Sequence, residues 1–261
     1  MEMLIVTGYH PTRRRILGAL AIGAAGAPVD IGLGRAGSVN PTPSQQMPGT
    51  CVLFPQAVEG PYYFDPKLVR ANITEERPGL PLKLVLKFMD NGSCTPIAAV
   101  RVDVWHCDAG GVYSGYAGQG DDRSASTEGQ HYLRGTQSTD ANGLVAFNTI
   151  YPGWYPGRTP HIHVKAFLDE KTVLTGQIYF PDDMSLRVYK SHAPYNTRPV
   201  PDTTNTRDFI FREGEKDGGG IILAMEEAEA GVTGTLLIAV DHSGEAARRA
   251  GGFWRRLFGS R

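Results

Sequence analysis

The sequence predicts an all-β fold, a single β-sandwich domain with long loops. Three observations carry this. Glycine (32 residues) and proline (18 residues) are both abundant, which favours many turns and short strands over a helix bundle. Several runs alternate apolar and polar side chains with the period of two of a half-buried strand. No run carries the 3.6-residue apolar stripe of a long amphipathic helix. At 261 residues, with 41% hydrophobic and 20% charged residues, the chain can bury a full core. The formal net charge of -1 argues against nucleic acid as a partner. Nothing in the sequence fixes an oligomeric state.

Residues 1–28 read as an address. Thr12-Arg-Arg-Arg-Ile-Leu17 opens a mildly apolar, small-residue stretch that runs to Ala27, too short to span a bilayer. A paired arginine before such a stretch is similar to a twin-arginine export signal, so the protein is expected to be exported, to the periplasm or outside the cell. Ala25-Gly-Ala27 offers a small-residue cleavage site. Residues 29–50, rich in Gly, Pro, Ser and Asn, read as a flexible linker.

The folded domain is expected over 51–242. Pro81 to Asp90 places Leu82, Leu84, Leu86 and Phe88 on one face and Lys83 and Lys87 on the other, the pattern of a strand. Asn91-Gly92 then gives a hairpin-type turn. Val100, Val102, Val104 and His106 alternate with Arg101, Asp103 and Trp105, a second strand. Residues 117–138 are polar and Gly-rich and read as an excursion loop. Asp140 to Gly143 is a turn that feeds a strand over Leu144–Asn148. Asp169-Glu170 turns the chain back into a strand over Val173–Phe180. Residues 181–208 are broken by prolines and read as loop. Ile221–Met225 and Thr235–Val240 complete seven or eight strands. Residues 243–261 form a basic tail with Phe253, Trp254, Leu257 and Phe258 among arginines. A frayed end is the simpler reading, ahead of an amphipathic helix touching a membrane or a partner.

The chemistry concentrates in Tyr151-Pro-Gly-Trp-Tyr-Pro-Gly-Arg-Thr-Pro-His-Ile-His163. On a strand, Ile162 points one way and the imidazoles of His161 and His163 the other, the placement a metal ion needs from a rigid element. The Pro- and Gly-rich lead-in must be a loop, and it brings Tyr155 and Arg158 over that face. A His-X-His pair alone is more often a surface feature, and a zinc hydrolase would need an acidic base that this run lacks. Cys51, Cys94 and Cys107 contain no C-x-x-C pair, and the residues alone leave every disulfide pairing open.

Four segments taken together change the weighing. Glu59-Gly-Pro-Tyr-Tyr63, Val104-Trp-His106, Gly111-Val-Tyr-Ser114, and Tyr151 to Pro156 followed by His161-Ile-His163 resemble the intradiol ring-cleavage dioxygenases, from about Cys51 to Val240. That resemblance implies a non-haem Fe(III) enzyme that takes a catechol-type aromatic and O2 and opens the ring between the two hydroxylated carbons, giving a cis,cis-muconate-type product. It implies Tyr113, Tyr155, His161 and His163 as metal ligands, with Tyr155 the tyrosinate that leaves when substrate binds. It makes Arg158 and Gln177 catalytic and substrate-binding, and Tyr62 part of the substrate cavity. Two phenolates are hard anionic donors and favour Fe(III) over Fe(II). Gly157 stands where the family often has a tryptophan, and the signal and linker stand where many members have a helical segment. The cysteines and His106 fit an exported subgroup with disulfides, and the resemblance favours pairing Cys51 with Cys94. The competing expectation is an exported β-sandwich binding module that keeps the shell without turnover.

Overall fold

The computed structural model describes residues 51–259; the expected export signal (1–28) and linker (29–50) lie outside them. Eight strands form two four-stranded sheets. The first sheet has the order β4 (Leu144–Ile150), β1 (Pro81–Asp90), β8 (Gly231–Val240), β7 (Ala224–Ala228). The second has the order β3 (Arg134–Ser138), β2 (Arg101–Trp105), β5 (His161–Leu168), β6 (Lys171–Tyr179). All neighbours are antiparallel except β1 and β8.

The alternation decides which faces meet. Leu82, Leu84, Leu86 and Phe88 of β1 bury against Val102 and Val104 of β2 and Ile162, Val164 and Ala166 of β5. Burying each leucine, valine, isoleucine or phenylalanine of this set is worth about 1.5–3 kcal/mol, so this layer supplies the main driving force of the sandwich. The opposite face of β2 is also covered, since Asp103 and Trp105 are buried too. That second burial is what builds the site described below.

Several expectations need correction. The turn at Asn91-Gly92 does not join a hairpin of β1 and β2. The Asp90 carboxylate accepts from the Gly92 and Ser93 amides, the chain makes one bridge back from Pro96 to Met89, and β2 then enters the other sheet. The polar stretch 117–138 ends in a real strand, β3, whose register against β2 pairs Arg134 with Trp105 and Thr136 with Asp103. The region 181–208 is not all loop: α1 spans Asp182–Ser191, and α2 follows at Phe209–Lys216. The C-terminal segment is a helix, α3 (Glu245–Phe258), and not a frayed end. Trp254 is its anchor: it is buried, and its indole N–H donates to the Gln56 carbonyl at 3.3 Å. Among the described residues no helix is long and apolar enough to cross a membrane.

Cys51 and Cys94 form a disulfide, and Cys107 is free and buried. The bridge closes 43 residues of chain. In the chain-entropy account a loop of that length stabilises by up to about 4 kcal/mol. The Cys51→Ser variant is therefore expected to unfold at lower denaturant with most of that stability lost, as equilibrium denaturation would read. An unchanged midpoint would mean that the unfolded chain is not restrained by the bridge.

His106 sits in the interior between the sheets. Its Nδ1–H donates to the Cys107 carbonyl at 2.8 Å and its Nε2 lies 2.7 Å from the Thr149 hydroxyl, so the neutral ring is fully satisfied. Burial lowers its pKa from the usual 6.5 to about 4. The unfolded chain then binds a proton that the folded chain refuses. This part of the stability is complete above pH 6.5 and is lost as pH falls towards 4, by about 3 kcal/mol. The His106→Gln variant should flatten the pH dependence of unfolding in that window by up to one proton.

Candidate metal centre and substrate cleft

The site lies on the outer face of the β3-β2-β5-β6 sheet. Register pairs Arg134 with Trp105, Trp105 with His163, and His163 with Gln177, so these side chains form one row across the sheet. His161 is two residues along the same face, paired with Tyr179. Ile162, between the two histidines, is buried in the core on the other side. The Trp105 ring lies flat against His163, with centroids 4.7 Å apart and planes 10° apart, and fixes that imidazole.

Two loops bring the phenols over this row. Tyr113 follows β2, and Tyr155 lies in the connection from β4 to β5. The loops are pinned together at Gly111, where a Cβ would stand 2.2 Å from the Trp154 carbonyl oxygen and the backbone has φ +85°. Only glycine fits there. Tyr113 is held by its amide to Gln119 Oε1 at 3.2 Å and by the Thr127 hydroxyl on its carbonyl at 2.6 Å. The Tyr62 ring stacks on it at 4.6 Å.

The four sequence-selected donors meet. Tyr155 Oη is 3.0 Å from His161 Nε2, and His161 Nε2 is 3.2 Å from His163 Nε2. His163 Nε2 is 3.2 Å from Tyr113 Oη, which is 3.5 Å from Tyr155 Oη. The contacts close a ring of four atoms. His161 Nδ1–H donates to the Thr159 carbonyl at 2.7 Å, so its Nε2 turns a bare lone pair towards the second imidazole. A ring of this kind fits an ion at its centre. Tetrahedral donors at bonds of about 2.0–2.1 Å stand roughly 3.3 Å apart. Among the described residues no group of three His, Cys, Asp or Glu side chains could hold an ion, so any centre here needs the phenols.

The electrostatics agree. Burial, with Arg158 nearby, holds the pKa of His161 well below the ordinary value, and burial, His161 and Arg158 do the same to His163. Both rings are therefore neutral and free to ligate near neutral pH. Burial raises the Tyr113 phenol well above its usual range and pushes Tyr155 up to about 12, against the pull of Arg158. Neither phenol ionises at neutral pH without a further positive charge beside it.

Arg158 and Gln177 also arrive together. Arg158 Nη2 donates to Gln177 Oε1, and the Tyr179 hydroxyl donates to the same oxygen at 3.0 Å. Gln177 Nε2 donates to the Val58 carbonyl at 3.2 Å. Sequence reasoning missed what aims the arginine. Asp208 is fully buried, and its Oδ2 accepts from Arg158 Nε at 2.7 Å and from the Thr159 amide at 3.0 Å. Its Oδ1 caps α2 through the Ile210 and Phe211 amides at 2.8 and 3.1 Å. The signal was an Asp directly before an apolar run.

Next to the centre lies a cleft of about 790 Å³. Tyr62, Tyr155, Arg158, His163 and Gln177 line its inner end, and α3 lines part of the rest. The structure thus gathers Tyr62, Tyr113, Tyr155, Arg158, His161, His163 and Gln177, while His106, quoted in the same motifs, lies in the interior between the sheets. It adds Trp105, Asp208 and the C-terminal helix.

A two-sheet sandwich that carries paired phenols and paired imidazoles on one outer face is the class of protein these features define. Residues 58–198 match the family model described as Dioxygenase (Dioxygenase_C). With that match, and with the relatives below, the chain belongs to the intradiol ring-cleavage dioxygenase family. The structure of an intradiol ring-cleavage dioxygenase from Tetranychus urticae is 34% identical, with a TM-score of 0.66, over 74% of this chain and 96% of that one. The dioxygenase domain of a dioxygenase–carbohydrate-binding protein fusion from Streptomyces sp. SirexAA-E is 31% identical, with a TM-score of 0.52, over 72% of this chain and 98% of that one. A chlorocatechol 1,2-dioxygenase of Rhodococcus opacus is 26% identical over 152 residues, 49% of this chain and 56% of that protein. The match therefore spans little more than half the length of that curated relative.

Proposed function

We propose that this chain is a non-haem Fe(III) intradiol dioxygenase that inserts both atoms of O2 into a catechol-type aromatic and yields a cis,cis-muconate-type product. One observation carries the reading: the closed ring formed by Tyr113 Oη, Tyr155 Oη, His161 Nε2 and His163 Nε2. These four side chains would hold the iron, and two hard phenolate oxygens suit the ferric state. When bound, the ion supplies Lewis acidity towards a catecholate.

The remaining work falls to the protein. Tyr155 is less buried than Tyr113 and sits on a loop, so its phenolic oxygen is the one free to move and to take a proton from an incoming catechol. Arg158, locked by Asp208 and Gln177, keeps a fixed cation where negative charge develops on the ring. Tyr62 offers a flat apolar surface to the substrate ring. Trp105 and the burial of both histidines keep water from the ligand side. Export through residues 1–28 is part of the same proposal and draws support from the Cys51–Cys94 disulfide, which suits an oxidising compartment.

Oxygen uptake by the purified, iron-loaded chain against a panel of catechols tests the reading. We expect one O2 consumed per ring opened, with iron bound in a one-to-one ratio. A protein that binds no iron and consumes no oxygen with any member of the panel would overturn it.

A further inference from the structure

The cleft is larger than its proposed reaction needs. At about 790 Å³ it falls in the range that holds drug-sized ligands, far more than a bare catechol ring. Its outer wall is α3, which contributes Ala247, Ala250, Gly251, Trp254, Arg255 and Phe258. Gly251 is the informative position. Glycine inside a helix costs about 1 kcal/mol relative to alanine. A Cβ at Gly251 would meet only the flexible end of Arg255, at 3.7 Å, so the protein's own packing does not require a small residue. Gly251 lines the cleft, and without a side chain it leaves the wall low beside the Arg255 guanidinium.

The charges of the cleft are uneven. Three cations line it, Arg158, Lys165 and Arg255. Arg158 is paired with Asp208 and Lys165 with Glu59. Arg255 donates through Nε to its own helix carbonyl at Gly251, and among the described residues it has no acidic partner. It is the one lining cation left without a counter-charge, and it sits beside the empty volume that Gly251 leaves.

We infer that α3 forms a second subsite of the substrate cleft, which takes an extended, carboxylate-bearing substituent on the catechol ring, with Arg255 as its counter-charge. The inference deepens the proposed dioxygenase reading and rests on it for the ring end of the ligand. The room beside Ala250 and Gly251 accepts the linking atoms, Trp254 and Phe258 give them apolar contact, and the Arg255 guanidinium meets the anionic end.

The test uses the full iron-loaded chain and two kinds of measurement. In the first, kcat/KM is compared for catechol and for 3-(3,4-dihydroxyphenyl)propanoate. The wild type should prefer the propanoate. In Arg255→Gln the propanoate should fall by about fivefold, the effect of an exposed charge pair, with catechol changed less than twofold. Added salt should erode the preference in the wild type and not in the variant. Gly251→Leu should raise KM for the propanoate alone, and its thermal stability should not fall, because the change also favours helix. In the second, equilibrium binding of the uncleavable 3-(4-hydroxyphenyl)propanoate is followed by tryptophan fluorescence and compared with phenol. Its Kd should rise about fivefold in Arg255→Gln, and that of phenol should not move. Equal losses for both ligands, or no loss for the propanoate, would overturn the subsite. Selective binding of the propanoate by a chain that turns over neither catechol would instead sink the dioxygenase reading and leave the subsite standing.

Discussion

His161→Ala is expected to leave a folded chain that binds iron poorly and loses ring cleavage by more than about 100-fold. Changes to residues that only orient metal ligands already cost 10–100-fold, and His161 is proposed as a ligand itself. Its Nε2 touches two of the other three donor atoms, Tyr155 Oη and His163 Nε2, so no neighbour can replace it without a shift of the strand. The fold should survive, because the histidine lies on the outer face of β5 and the interior contacts of Ile162 and Val164 are untouched. Metal analysis with near-UV circular dichroism would check both halves. Full iron occupancy in this variant would remove His161 from the ligand set.

Asp208→Ala is expected to be the most damaging change outside the residues singled out from the sequence. The carboxylate is fully buried and makes four hydrogen bonds, two to the Arg158–Thr159 segment and two to the first turn of α2. Removing it leaves the largely buried Arg158 guanidinium without its counter-ion, and breaking such a pair costs about 3–5 kcal/mol. For a domain of this size that is a fall in Tm of about 10 °C. Turnover should fall as well, because Arg158 is then tethered by Gln177 alone. Thermal unfolding and kcat on catechol measure the two effects. Asp208→Asn keeps an acceptor for the helix cap while it removes the charge, so it should recover part of the stability and little of the activity. A stable, fully active Asp208→Ala protein would show that Arg158 is positioned by something else.

Much of this site was legible because strand periodicity is rigid. Once β5 is a strand, His161 and His163 must share a face, and the Pro- and Gly-rich run before them must be a loop that carries Tyr155 and Arg158 over it. The strands with clean alternation, β1 above all, were readable for the same reason. β3 was not, because Arg134-Gly-Thr-Gln-Ser138 has no apolar face of its own and becomes a strand through pairing with β2. α1 and α2 are too short to show several turns of periodicity amid the prolines. α3 runs unbroken through the poor helix formers Gly251-Gly252, and its docking depends on Trp254 reaching Gln56, nearly two hundred residues away in sequence. Contacts of that reach leave no local pattern. The stacking of Trp105 on His163 and the aim of Asp208 at Arg158 are hidden in the same way.

Resonance Raman spectroscopy of the iron-loaded protein, excited in its visible absorption band, asks whether phenolic oxygens are bound to the ion. Phenolate ring vibrations should be enhanced in the wild type, reduced in Tyr155→Phe, and absent when Tyr113 and Tyr155 are both phenylalanine. An active, iron-bound wild type whose spectrum carries no phenolate vibrations would contradict the assignment.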